Sequence, residues 1–280
     1  MAGQGFSVIN NLNSLNSQKN IGLSSSGLNS SLEKMSSGRR INKAGDDAAG
    51  LAIGAALNAD FMALSQGVRN ANDGIGIIQV ADGAFSQMGD MLSRATQLAT
   101  QAASGTMGAN ERKIADAEFQ QIMQEIDRTV DTTSYKGEQL FNQTEAVTKS
   151  VYVGDTQVQS SIDISVGGGS GAGTQAMGLE NANLLTAADA QDALSRVSGA
   201  VDNIAHMRGA LGAQQNRLVN SIGVLQIQSQ NILAAESTIM DADMATEVSN
   251  FTKNRILMES GMASLAQSNA TNKMVLQLFQ

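Results

Sequence analysis

The residues that could do chemistry are few and poorly spaced for it. Asp46 and Asp47 are adjacent carboxylates. Neighbours along a helix do not face each other, so the pair reads as a charged helix start near the positive dipole end, not as an acid–base couple. Asn70-Ala71-Asn72-Asp73-Gly74 has the look of a calcium loop. With Gly74 at the sixth place, the first ligand would be Arg69 and the twelfth Val80, and neither suits calcium. Gly167–Gly173 is glycine-rich, but no helix opening on Lys-Ser or Lys-Thr follows, so it reads as a flexible connector and not as a phosphate loop. His206 is the single histidine and sits beside Ile204 with no partner nucleophile. Cysteine is absent, which excludes disulfides, thiolate catalysis and cysteine-ligated zinc. The 14 methionines recur at apolar seam positions, as adaptable packing would. The expectation is a structural protein with no catalytic residue, no cofactor and no metal.

Composition narrows the class further. The 280 residues carry a net charge of −8 and a pI near 4.7, which argues against binding nucleic acid or anionic membrane. No run reaches the roughly 18 consecutive apolar residues of a membrane span. Residues 1–20 lack a basic stretch followed by an apolar one, so no cleaved secretory signal is expected. Apolar residues make up 42% and aromatics 3%, a mix that suits helix seams better than an aromatic-lined pocket. Proline is absent, which permits very long helices.

Periodicity supplies those helices. Residues 5–35 read as helix, with Val8, Leu12 and Leu15 on one face and Ile21, Leu28, Leu32 and Met35 continuing a stripe. Ser36-Ser37-Gly38 reads as its stop. Leu57, Phe61, Leu64, Val68, Ala71, Ile75 and Ile78 step by fours and threes. After a skip, Ala81, Phe85, Met88, Leu92, Ala95 and Ala99 resume the alternation. This is a heptad seam with one stammer. A helix over 44–103 would be roughly 90 Å long at 1.5 Å per residue. A second helix is expected over 110–130, with Ala115, Phe119, Ile122 and Ile126 on one face. Gln139-Leu140-Phe141, Val151-Tyr152-Val153 and Ile162–Val166 read as short strands, with a turn at Gly154-Asp155. Heptads return at Leu194, Val197, Val201, Ile204, Arg208, Leu211, Gln215, Leu218, Ile222, Leu225, Ser229 and Ile232. They continue at Met244, Val248, Phe251, Arg255, Met258, Met262 and Leu265, with Leu276 and Phe279 in phase. The fold class expected is mainly α: long antiparallel helices in a coiled-coil-like bundle with a small β-hairpin region. Several long seams with little to cover them imply helices from other chains.

Particular segments then carry a resemblance. Ser30-Ser31-Leu32-Glu33-Lys34-Met35-Ser36-Ser37-Gly38-Arg39-Arg40-Ile41-Asn42, Ala44-Gly45-Asp46-Asp47-Ala48-Ala49-Gly50 and Arg69–Ile75 closely resemble the N-terminal region of bacterial flagellin. Leu211-Gly212-Ala213-Gln214-Gln215-Asn216-Arg217-Leu218 and Asp241–Asn250 resemble its C-terminal region, in the right order. The resemblance covers roughly 6–166 and 184–280. It implies an inner layer built from both termini, 1–43 with 235–280, as the polymerisation core. It implies a second layer over 44–234, with a hairpin near 137–166 and only the stretch 167–183 where larger members insert outer domains. Self-assembly would rest on Val8, Leu12, Leu15, Met244, Val248, Phe251, Met258, Met262, Leu265 and Leu276.

The same resemblance implies a secreted, extracellular filament subunit that polymerises with copies of itself and acts as a propeller for swimming. Partners implied are an export chaperone that binds the C-terminal helix, the filament cap and the hook–filament junction proteins. Export would run through the flagellar secretion apparatus. A hook–filament junction protein is the alternative reading. A host flagellin-sensing receptor is a further implied partner, through Arg94, Leu98 and Glu118. The chain departs from the family pattern at Asn272, where proline is common. It departs again at Ile122, where an arginine often follows Glu118 by one turn, and at Leu276–Gln280, which lacks the usual leucine pair.

Overall fold

The structure, a computed structural model, describes residues 11–142, 145, 147–154, 160–166 and 172–278, with the side chains of 275–278 outside that set. In chain order the elements are α1 (Leu12–Ser37), α2 (Ala48–Ala103), α3 (Ala109–Thr132), β1 (Ser134–Tyr135), β2 (Glu138–Gln139), β3 (Val147–Tyr152), β4 (Ser161–Val166), α4 (Ala187–Met240) and α5 (Met244–Leu278). The chain divides into two compact units, 1–58 with 232–280, and 59–231. The limits fall inside α2 and α4.

In the first unit, local chemistry sets where helices begin and end. Asn11 accepts a hydrogen bond from the Ser14 N–H at 3.0 Å and so caps α1. Gly38 closes the helix in the left-handed region at φ 71°, which glycine adopts without a Cβ penalty. Two turns then bind each other: the Ala242 N–H donates to the Gly38 carbonyl at 2.9 Å, and the Arg40 guanidinium donates to the Ile239 carbonyl at 2.7 Å. Asp46 does not lie in the helix expected from residue 44. It precedes α2 and accepts the Asn42 and Lys43 N–H groups, each at 3.0 Å. Those two bonds hold its carboxyl below the usual carboxylate range. Asp47 caps α2 by accepting from the Gly50 N–H at 2.9 Å. At the start of α5, Asp243 is held low in the same way, first by the Thr246 hydroxyl and then by the Ala245 N–H.

In the second unit, α2, α3 and α4 supply the core. The heptad stripe of α2 is buried at Leu64, Ala71, Ile78, Ala81, Phe85, Met88, Leu92, Ala95 and Ala99. Its other positions, Leu57, Phe61, Val68 and Ile75, are half-buried. By length and composition α2 could cross a membrane. Its buried stripe and the exposed charges Arg69, Asp73, Asp90 and Arg94 describe an amphipathic core helix instead. The buried face of α3 is Ala115, Phe119, Met123, Ile126 and Val130, so Met123 takes the place expected for Ile122, which is half-buried. In α4 every seventh residue is buried: Ile204, Leu211, Leu218 and Leu225. The alternate seam positions Arg208 and Gln215 lie at the edge, and Arg208 pairs with Asp82 at 2.7 Å.

The β region holds two antiparallel pairs, β1 with β2 and β3 with β4. Lys136 and Gly137 both have positive φ, 52° and 86°, as a two-residue hairpin turn requires. β1 was not legible as a strand, and the Gln139–Phe141 strand is only Glu138–Gln139. Leu140 and Phe141 turn into the core, where Phe141 meets Phe85 at 4.9 Å between ring centroids. Ile162, Ile164 and Val166 are all buried, as alternation predicted. The expected tight turn at Gly154-Asp155 is a longer connection. The Val153 N–H donates to the Ser160 carbonyl at 2.9 Å, and 155–159 lie outside the described residues.

The Asn70–Gly74 motif seats both hairpins. The Asn70 amide donates to the Tyr152 carbonyl at 3.0 Å, and Asp73 pairs with Lys136 at 3.0 Å. A Cβ at Gly74 would lie 3.0 Å from Val151, 3.1 Å from Ile164 and 3.3 Å from Leu218. Gly74→Val therefore overpacks a three-way junction and should cost about 1–3 kcal/mol, read as a lowered Tm. Gly83→Ala, with open space around it, should instead raise stability by up to about 1 kcal/mol.

The stretch 167–183 was expected to be a connector. Residues 167–171 lie outside the described residues. The rest is not loose: Asp127 of α3 accepts from the Thr174 N–H and hydroxyl, both at 2.8 Å, and Gln120 donates to the Ala182 carbonyl at 2.8 Å. Met177, Leu179 and Leu184 are buried beneath these bonds.

Candidate self-assembly interface

In the first unit α1 and α5 run antiparallel. Lys34 approaches Glu247 at 4.0 Å near one end, and the Ser268 hydroxyl bonds Asn11 at 3.1 Å near the other. The contact stripe of α1 is Ser14, Ser17, Ile21, Ser24, Leu28, Ser31 and Met35. That of α5 is Glu247, Phe251, Asn254, Met258, Gly261, Leu265 and Ser268. Both keep the three-four spacing of a coiled-coil seam. Small residues let the backbones approach closely. A Cβ on Gly27 would meet Asn254 at 2.7 Å, and one on Gly261 would meet Ile21 at 2.8 Å.

The expected assembly residues divide between two surfaces. Phe251, Met258 and Leu265 are half-buried on the stripe facing α1. Met244, Val248 and Met262 are exposed, and so is Arg255, which pairs with Glu259 at 3.1 Å. Leu12 and Leu15 face away from α5, at 66% and 59% exposure. Leu32 does not join Ile21, Leu28 and Met35; it is exposed too. Val8 and Phe279 lie outside the described residues, as does the side chain of Leu276. Sequence reading missed Leu23, Ile256 and Leu257, which also stand in solvent. The available signal was that apolar residues occupy more heptad positions of α5 than one seam can use. A helix apolar on several sides needs partners on several sides.

The three candidate receptor contacts also separate. Arg94 on α2 and Glu118 on α3 form an exposed ion pair at 2.6 Å. Leu98 is 4% exposed and packs in the core of the second unit, so it is not available to a partner. Ile114, one turn before Glu118, is 74% exposed and was not singled out from the sequence. His206 is exposed on α4. Among the described residues no cluster of His, Cys, Asp or Glu is arranged to hold a metal.

Two long terminal helices are paired through small residues, with apolar side chains left on their outer faces, the surface of a protein that associates with partners. The comparisons agree with that class. The family description "Bacterial flagellin N-terminal helical region" matches residues 8–146, and "Bacterial flagellin C-terminal helical region" matches 194–279. A flagellin of Halalkalibacterium halodurans is 37% identical over 98% of this chain and 100% of its own. A Listeria innocua flagellin is 35% identical over 97% of this chain and 98% of its own. A flagellar filament core protein of Treponema maltophilum is 33% identical over 98% of this chain and 100% of its own. The chain belongs to the bacterial flagellin family and is a structural subunit of the flagellar filament.

Proposed function

We propose that this subunit polymerises through its terminal helices, with 1–43 and 235–280 as the polymerisation core and 44–234 as a surrounding layer. The observation that carries the reading is the second apolar face: Leu12, Leu15 and Leu23 on α1, and Val248, Ile256 and Met262 on α5, are exposed in the single chain. Burying each such side chain is worth roughly 1.5–3 kcal/mol, gained only when neighbouring subunits cover it. Electron microscopy of the purified protein after seeding tests this. Long filaments are expected; persistent monomer would overturn it. Export through the flagellar secretion apparatus is the route that goes with this role. An export chaperone on α5, the filament cap and the hook–filament junction proteins are the partners that go with this role.

A second reading concerns host sensing. Arg94 and Glu118, exposed and already paired, offer a surface that a flagellin-sensing receptor could engage in the monomer. Arg94→Ala removes an exposed ion pair, so its effect on stability should stay below about 1 kcal/mol. Its signalling in a reporter-cell assay should fall well below that of the unmodified monomer. Unchanged potency with unchanged helicity would remove Arg94 from the contact.

A further inference from the structure

The chain contains 14 methionines and no cysteine. The thioether is therefore its only sulfur nucleophile, and the methionines differ sharply in access. Met88, Met123, Met177 and Met240 are at most 7% exposed. Met62, Met244, Met262 and Met274 are 61%, 45%, 49% and 54% exposed. Three of these four lie on α5, where they are spread over the helix from its first residue to Met274. The fourth, Met62, lies on α2 in the second unit.

We propose that Met244, Met262 and Met274 form an oxidation site whose substrate is peroxide and whose product, the sulfoxide, blocks incorporation of the subunit. This rests on the reading that the outer surface of α5 is covered during assembly. The thioether sulfur donates an electron pair to one peroxide oxygen, and the O–O bond breaks. The sulfur is oxidised to sulfoxide, the peroxide is reduced, and its other oxygen leaves as water. Each such step turns a flexible apolar side chain into a polar one. Burying that polar group among apolar neighbours is unfavourable unless it finds a hydrogen-bond donor. The conversion is harmless in the free subunit, because all three side chains are in solvent. It becomes costly only when another chain must cover them. Reactivity should also fall once the filament has formed, because covered sulfur is shielded from the oxidant.

The test uses the full chain and hydrogen peroxide. Peptide mass spectrometry of treated monomer should find sulfoxide at Met62, Met244, Met262 and Met274 and little at Met88 or Met240. Treated filament should be protected at Met244, Met262 and Met274. Seeded elongation of treated monomer should fall at least tenfold, and the two stereospecific methionine sulfoxide reductases together should restore it. A Met244→Leu/Met262→Leu/Met274→Leu variant should elongate after peroxide as it does before, each rate being compared with that of the same untreated variant, although Met62 still oxidises. Normal elongation of a monomer shown to carry all three sulfoxides would overturn the proposal. So would an equal loss in the peroxide-treated leucine variant. Failure of the untreated, unmodified protein to elongate would instead overturn the assembly reading itself, so the two outcomes stay separate.

Discussion

Phe251→Asp is expected to give a soluble subunit with a folded second unit that does not polymerise. Phe251 sits half-buried on the α5 stripe that faces α1, one heptad from Met258 and close to the Gly27–Asn254 contact. Removing the ring forfeits part of the roughly 1.5–3 kcal/mol that its burial contributes. The carboxylate adds a further cost, because a charge placed in a seam of Ile21, Leu28, Met258 and Leu265 has no cation opposite it among these residues. An isolated helix pair cannot absorb such a loss easily, since ordering each backbone residue already costs about 1–2 kcal/mol. Every subunit repeats the defect, so the effect is multiplied along a filament. Seeded assembly followed by sedimentation should show at least a tenfold loss of pelletable protein, which corresponds to about 1.4 kcal/mol per added subunit. The core of residues 59–231 does not contain Phe251, so its thermal transition should be retained. A normal yield of filaments would show that this seam does not hold the polymer.

Phe85→Ala should do the opposite: it should damage the folded second unit. Phe85 is fully buried on α2 and meets the Phe141 ring at 4.9 Å and an interplanar angle of 58°. That tilted arrangement is favourable between aromatic quadrupoles. Truncation leaves a cavity between α2 and the end of the β1–β2 hairpin, and a buried Phe→Ala change costs about 3–5 kcal/mol. For a unit of this size the Tm should fall by roughly 6–20 °C. Val80→Ala, at a position 38% exposed on the same helix, should change stability by less than about 1 kcal/mol. Thermal unfolding followed by circular dichroism measures both. A Phe85→Ala shift no larger than that of Val80→Ala would mean the aromatic pair is not part of a tight core.

The sequence by itself determined the helices, the stop of α1 at Gly38 and the seam of α2. Those features are local: a three-four repeat needs only its own residues, Gly38 needs only its own φ, and the absence of proline leaves the long helices unbroken. It also determined the family, because the two terminal segments carry its motifs. Only the tertiary structure decided which apolar residues face which partner. α1 and α5 each carry more apolar residues than one seam can hold. The choice between Leu32 and Ser31, or between Met262 and Gly261, therefore depends on the helix opposite. Close backbone approach rewards the small residue at these two positions, so Ser31 and Gly261 face inward while Leu32 and Met262 face out. The same logic governs Leu98. Arg94 and Leu98 are one turn apart, and only the packing of the second unit shows that the first is in solvent and the second is core. The Asn70–Gly74 motif had no legible role as a ligand loop. Its purpose emerged when the β3–β4 hairpin, distant in sequence, came to rest on Gly74 and on the Asn70 amide.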